Sequence, residues 1–193
     1  MTDIPPPAAG GPADDWSDRL EHLATGDVSS RRAEARRLAD SARKALHALM
    51  NTEAPEDVLT EVADGLSALA DRLAQYPNRS MYVGFAESAN SGDPHAFFDH
   101  SPMIGRANPL APPIALRQVD DRMEGVVTFG PAYEGPPGCV HGGYVAAAFD
   151  EVLGATQSLS GTPGMTARLI VNYRAPTPLG TELTFVGELE GVE

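Results

Sequence analysis

The residues whose types and spacing could do chemistry are His141-Gly142-Gly143 and, nine positions after the histidine, Asp150. Tyr144-Val145-Ala146-Ala147-Ala148-Phe149 fills the space between them and Val152-Leu153 follows, so 142 to about 159 predicts a helix with almost no polar face in its first half. Such a helix is a buried one. An unpaired carboxylate inside it costs several kcal/mol. Asp150 therefore caps a neighbouring backbone group, meets an arginine, or serves a reacting molecule. The helix start favours the last of these. Its first-turn N–H groups lack partners within the helix and carry about half a positive charge. Gly142 and Gly143 place no side chain over them, so an oxygen of a bound substrate can approach the backbone. The combination is a donor for an oxyanion and a carboxylate. At about 1.5 Å of rise per residue, the two lie roughly 12 Å apart along one helix and cannot grip the same carbonyl. Two copies with antiparallel central helices would bring the Gly142 end of one to Asp150 of the other, which makes two shared sites in a dimer.

The elements that must position these groups follow from the pattern on either side. Ile114 to Val119 alternates as a strand, Asp120-Asp121 turns, and Met123, Gly125, Val127 and Phe129 share one face of a second strand. Gly135-Pro136-Pro137-Gly138 fits neither a helix nor a central strand, so Tyr133 to Gly138 is a loop. After the buried helix come two more alternating runs, Met165 to Tyr173 and Leu183 to Leu189, joined by Pro176-Thr177-Pro178-Leu179-Gly180. The fold class is α+β, an antiparallel sheet wrapped on one helix. Glu193 falls where a further hairpin strand would begin, and one or more C-terminal strands are expected beyond it.

Upstream, residues 1–12 are Pro-, Gly- and Ala-rich and predict a disordered tail. Residues 13–76 carry helical periodicity in three pieces: Trp16, Leu20 and Leu23; then Ala35, Leu38, Ala42, Leu46 and Leu49; then Val58, Val62, Leu66, Leu69 and Leu73. Gly26 and Asn51-Thr52 break them, and Pro55 suits a first turn. Arg31, Arg32, Arg36, Arg37, Arg43 and Lys44 crowd the second piece and read as a solvated face with internal pairs to Glu34 and Asp40. Residues 77–108 form a loop-rich connector. Its His95-Ala96-Phe97-Phe98-Asp99-His100 reads as a loop packing its phenylalanines rather than as metal ligands, because no further ligands stand nearby.

Charge narrows the partners. A formal charge of −13, with Lys44 the only lysine, argues against nucleic acid, which takes many cations to bind. An anionic small molecule stays possible through a few arginines and backbone N–H groups. Cys139, the single cysteine, excludes an intrachain disulfide and reads as a small filler at the loop end. No signal peptide or membrane-spanning run is visible, so a cytoplasmic protein with no membrane partner is the expectation.

Tyr133-Glu134-Gly135-Pro136-Pro137-Gly138, His141-Gly142-Gly143, Asp150 and Met165-Thr166-Ala167-Arg168-Leu169-Ile170-Val171-Asn172-Tyr173 together resemble the hotdog-fold acyl-CoA thioesterases of the PaaI and thioesterase-superfamily-member-4 type, in the 4HBT superfamily. The resemblance covers about 109–193, with the C-terminal end of that domain incomplete, and leaves 1–108 outside. It implies Asp150 as general base or nucleophile, the Gly142 N–H as oxyanion donor and His141 as a group orienting the helix start. It also implies that Thr166 positions water or the carboxylate, and that Asn172 and Arg174 contact substrate or the CoA phosphates. The substrate would be an acyl-CoA, the assembly a homodimer or dimer of dimers, with no metal and no cofactor beyond the CoA of the substrate. One departure is that Gly135-Pro136-Pro137-Gly138 stands where some relatives carry an amide side chain for the thioester carbonyl. Thr166 also fits an ordinary strand start, Asn172 and Arg174 fit turn residues, and His141 alone fits packing as well as function. The competing readings are a non-catalytic acyl-CoA sensor or adaptor, with the helical segment as its output, and a hotdog hydratase or dehydratase.

Overall fold

The computed structural model describes residues 30–77, 98–161 and 164–191. Two helices come first, α1 (Ser30–Met50) and α2 (Glu56–Ala74). Strands β1 (Ala115–Val119) and β2 (Arg122–Thr128), a 3-10 turn (Pro131–Tyr133), helix α3 (Gly142–Ser158) and strand β3 (Glu182–Glu188) follow. The expected short helix around Trp16 lies outside the described residues, as do the tail and most of the connector.

The sheet is antiparallel in the order β1-β2-β3. Asp120, in the left-handed region at φ 56°, closes the β1–β2 hairpin, and Gly125 pairs with Leu116 on one side and Phe185 on the other. The face expected from alternation is the core face. Met123, Gly125, Val127 and Phe129 are all buried, joined by Phe185, Ile114, Tyr133 and Val140. Helix α3 crosses that face and buries Val145, Ala148, Val152 and Thr156 against it. Two strand glycines permit the approach: a side chain on Gly125 would strike Val152, and one on Gly187 would strike Thr156. Glycine weakens a strand unless another backbone or side chain comes close. Here α3 is that neighbour.

Three expectations change. Helix α3 is not buried all round, because its other side, with Gly143, Tyr144, Asp150, Leu153 and Gly154, is exposed in the single chain. An apolar helix side needs cover, but the pattern does not say whether the cover comes from the same chain. Residues 165–173 form no strand. Met165 and Ile170 are 97% and 69% exposed, and no strand among the described residues pairs with this segment. Alternation states which side of a strand could be buried, whereas a strand exists only beside a backbone that completes its ladder.

The third change concerns the arginines of α1. Arg37–Glu34 and Arg43–Asp40 form as expected, at 2.6 Å each. The same helix is also clamped onto distant chain. Arg36, 8% exposed, donates to Asp99, 5% exposed, at 2.8 Å, with Arg32 Nε 3.1 Å from the same carboxylate. Arg43 reaches the carbonyls of Ala111 and Asn108 at 2.8 Å each. Contacts spanning 63 to 68 residues are invisible to i, i+4 arithmetic. Helix α2 differs: none of its side chains is buried. No described helix is long and apolar enough to cross a membrane.

Candidate active site

The helix start at Gly142 is built by a strapped loop. The chain leaves β2 at Phe129, turns through Pro131–Tyr133 and doubles back, with the His141 N–H donating to the Tyr133 carbonyl and the Gly135 N–H to that of Cys139, both at 2.9 Å. Gly138, at φ 72°, makes the sharp end of the loop, and its N–H donates to Glu134 Oε1 at 2.7 Å. From the far side, residues 177–180 hold the loop down: Val140 N–H donates to Thr177 O, Leu179 N–H to Gly138 O, and Gly180 N–H to Phe129 O. Cys139 takes part only through its backbone and stands half-exposed.

His141 is the N-cap of α3, in extended conformation, and its Nδ1 accepts the Gly143 N–H at 3.0 Å. That bond fixes the imidazole across the helix end and, in the neutral ring, places the proton on Nε2. The Tyr144 and Val145 N–H groups both turn back to the His141 carbonyl, at 2.9 and 3.3 Å. Gly142 thus keeps the one first-turn N–H with no partner among the described residues. Gly143, expected to share the donor role, has its N–H taken by the histidine.

Aromatic rings support the helix start. Tyr133 meets Tyr144 edge-on at 4.9 Å, and burial pushes its hydroxyl up to about 12. Tyr173 was not singled out by the sequence, yet its hydroxyl donates to the Gly142 carbonyl at 2.8 Å and its ring covers the Gly142 Cα. The signal available was only its place beside Asn172 and Arg174. Those two flank Tyr173 but, exposed, make no hydrogen bond or ion pair among the described residues. Thr166 is likewise exposed and unpartnered there. The structure brings Tyr173 to the helix start, and among the described residues no hydrogen bond or ion pair links Thr166, Asn172 or Arg174 to Asp150 or Gly142.

Support also comes from α1. His47 Nδ1 accepts the Ala132 N–H at 3.2 Å, its ring meets Tyr133 edge-on at 5.5 Å, and it occupies the space that a side chain on Gly130 would need. Burial, and secondarily the charge of Arg43, holds His47 below its ordinary value.

Asp150 sits eight residues further along the same helix, roughly 12 Å by its rise, exposed and with no hydrogen bond or ion pair among the described residues. It neither caps backbone nor meets an arginine. Its neighbour Glu151 turns inward, where burial raises its carboxyl above the ordinary range, a hydrogen bond from Ser101 at 3.4 Å opposes that, and the Asp150 charge adds to it. Sequence reasoning passed over this second carboxylate although it stands in the same apolar run. No cluster of three metal-ligating side chains occurs among the described residues.

Against known proteins, a family model described as "Thioesterase superfamily" matches residues 137–193, the stretch with the His141 cap, Asp150 and Tyr173. The chain is similar to acyl-coenzyme A thioesterase THEM4 of Xenopus laevis, 41% identical over 64 residues, which is 33% of this chain and 29% of that protein. THEM4 of Bos taurus is 38% identical over 64 residues, 33% of this chain and 26% of that one. The match thus spans less than a third of either relative's length. A crystal structure of a thioesterase superfamily protein superposes with a TM-score of 0.69 and 34% identity over 87% of this chain and 82% of that one.

Proposed function

This chain belongs to the thioesterase superfamily and has its hotdog architecture, and from that premise we propose that it hydrolyses the thioester of an acyl-CoA to the free acid and CoA. The observation that carries the reading is the division of labour along α3. One end keeps a single open N–H at Gly142, and the exposed side carries an unpaired Asp150 too far away to meet it in the same chain. The uncovered side of α3 around Asp150 supports antiparallel pairing with a second copy. Each site then combines Gly142 of one protomer with Asp150 of its partner, in a homodimer or a dimer of dimers.

In that site the thioester oxygen accepts the Gly142 N–H, and the helix N-terminus favours the negative charge that develops on it. Asp150 acts as general base, taking a proton from the water that attacks the carbonyl carbon, or as nucleophile, attacking that carbon itself to form an acyl-carboxylate that water then hydrolyses to the free acid and the restored carboxylate. The C–S bond breaks and the CoA sulfur leaves as thiolate, to be protonated by solvent. His141 and Tyr173 keep the donor pointed by holding the Gly143 N–H and the Gly142 carbonyl. Thr166, Asn172 and Arg174 act from the segment that Tyr173 anchors, Thr166 on the water or carboxylate and the other two on CoA. No cofactor or metal is needed, and the enzyme is cytoplasmic.

Thiol release from a panel of acyl-CoAs tests the activity. Binding without turnover would instead make the protein a sensor. The shared site has its own test. Asp150→Ala and Gly142→Pro chains, each inactive alone, should regain roughly a quarter of the wild-type rate when mixed through unfolding and refolding, because half the dimers then hold one intact site. No recovery between two folded partners rejects the sharing.

A further inference from the structure

Helix α2 carries Leu59, Val62, Leu66, Leu69 and Leu73 at alternating spacings of three and four, with Val58 beside them. All six stand 40% to 57% exposed. This is the a/d spacing of a two-helix seam, continued over the length of the helix. The positions flanking the seam are mostly small: Ala63 and Ala70 on one edge, Gly65 on the other. The acids Asp57, Asp64 and Asp71 recur every seven residues on the back of the helix, away from it. A polar helix face of this kind meets water, while the opposite face wants a partner of the same shape.

Charge at the seam edge selects the partner. Glu61 and Arg72 lie on the same flank, eleven residues apart. When a second copy of α2 runs antiparallel with the two Leu66 side chains facing each other, Leu59 meets Leu73 of the other copy. Glu61 then falls within about one residue's rise, ~1.5 Å, of level with the partner copy's arginine at the same position 72. The pairing is reciprocal, so both ends of the seam gain an ion pair of opposite sign. In a parallel two-fold pair this flank faces the other edge of the partner helix, with Ala63 and Ala70, so Glu61 and Arg72 gain no ion pair across the seam.

We propose that α2 is a self-association element, pairing antiparallel with α2 of a second copy about a two-fold axis at Leu66. The contact is separate from α3 and does not depend on the activity proposed above. Sedimentation velocity on the full chain tests it. Wild-type protein should sediment with twice the mass of Leu66→Glu, whose exposed position leaves the helix content by circular dichroism unchanged. Arg72→Glu should weaken the association at least tenfold, and Glu61→Arg combined with Arg72→Glu should restore it. In a Cys139→Ser background, Leu66→Cys should cross-link to itself on oxidation, whereas Leu59→Cys should cross-link to Leu73→Cys and not to itself. Equal masses for wild type and Leu66→Glu, or failure of the double charge exchange to restore association, would overturn the proposal.

Discussion

The two ends of the functional stretch of α3 differ sharply in how the chain supports them. The Gly142 end is held by the His141 cap, by Tyr173 on the Gly142 carbonyl, and by the Tyr133 turn braced on His47. Asp150 is exposed and makes no hydrogen bond or ion pair among the described residues. A donor that must meet a developing charge gains from being fixed beforehand, because no reorganisation is then needed in the transition state. In the proposed shared site, the carboxylate would be completed by another protomer, so one chain would show only half of its surroundings. On that proposal, the contrast is between a preorganised half-site and one finished by assembly.

The contrast can be broken from either end. Asp150→Ala should lower acyl-CoA hydrolysis roughly a thousandfold with little change in melting temperature, since an exposed, unpartnered side chain supports no packing. Retention of more than about a tenth of the rate would remove Asp150 from the mechanism. Gly142→Pro deletes the open N–H while suiting the first helical position, and should cost about a hundredfold in kcat. An unchanged kcat would mean that the donor lies elsewhere.

The brace sharpens the comparison at smaller magnitude. His47→Leu should lower kcat about tenfold with KM unchanged, and speed hydrogen exchange at the amides of 141–145, while His47→Asn, which keeps an acceptor near Nδ1, should retain most of the rate. Because His47 titrates below 6.5 when folded, it stays an acceptor at neutral pH. Its contribution to stability is present above that ordinary value and is lost as pH falls through the folded one. Substitution with Asn should remove that acid-side loss from a melting-temperature profile. Glu151 behaves oppositely. Its carboxyl is raised above 4.5, so the folded chain binds the proton more tightly and stability drains away as pH rises through the folded value. Glu151→Gln, still an acceptor for Ser101, should flatten that decline. Smallest of all, Tyr173→Phe should cost about 1 kcal/mol of stability and a few-fold in rate through one lost hydrogen bond.

The local features were legible before any coordinates. Alternation gave Met123, Gly125, Val127 and Phe129 as a core face, the Pro-Gly run gave the loop, and the apolar run gave α3. What escaped was everything set by distant chain. Asp99 lies 63 residues from Arg36, and His47 lies 85 from Ala132, so neither shows in a periodicity. Residues 165–173 alternate well and still form no strand, because a ladder takes a second backbone. At the site, the spacing of Gly142 and Asp150 was readable from helix geometry alone, whereas the choice of Gly142 over Gly143 as open donor depends on which way the His141 ring turns.

The clamp of α1 on Asp99, Asn108 and Ala111, with His47 under the Ala132 turn, has a practical corollary. A shortened version starting near residue 109, where the recognisable motifs begin, would strip the support from beneath the open N–H of Gly142. Trimming for expression or crystallisation should therefore stop ahead of Ser30.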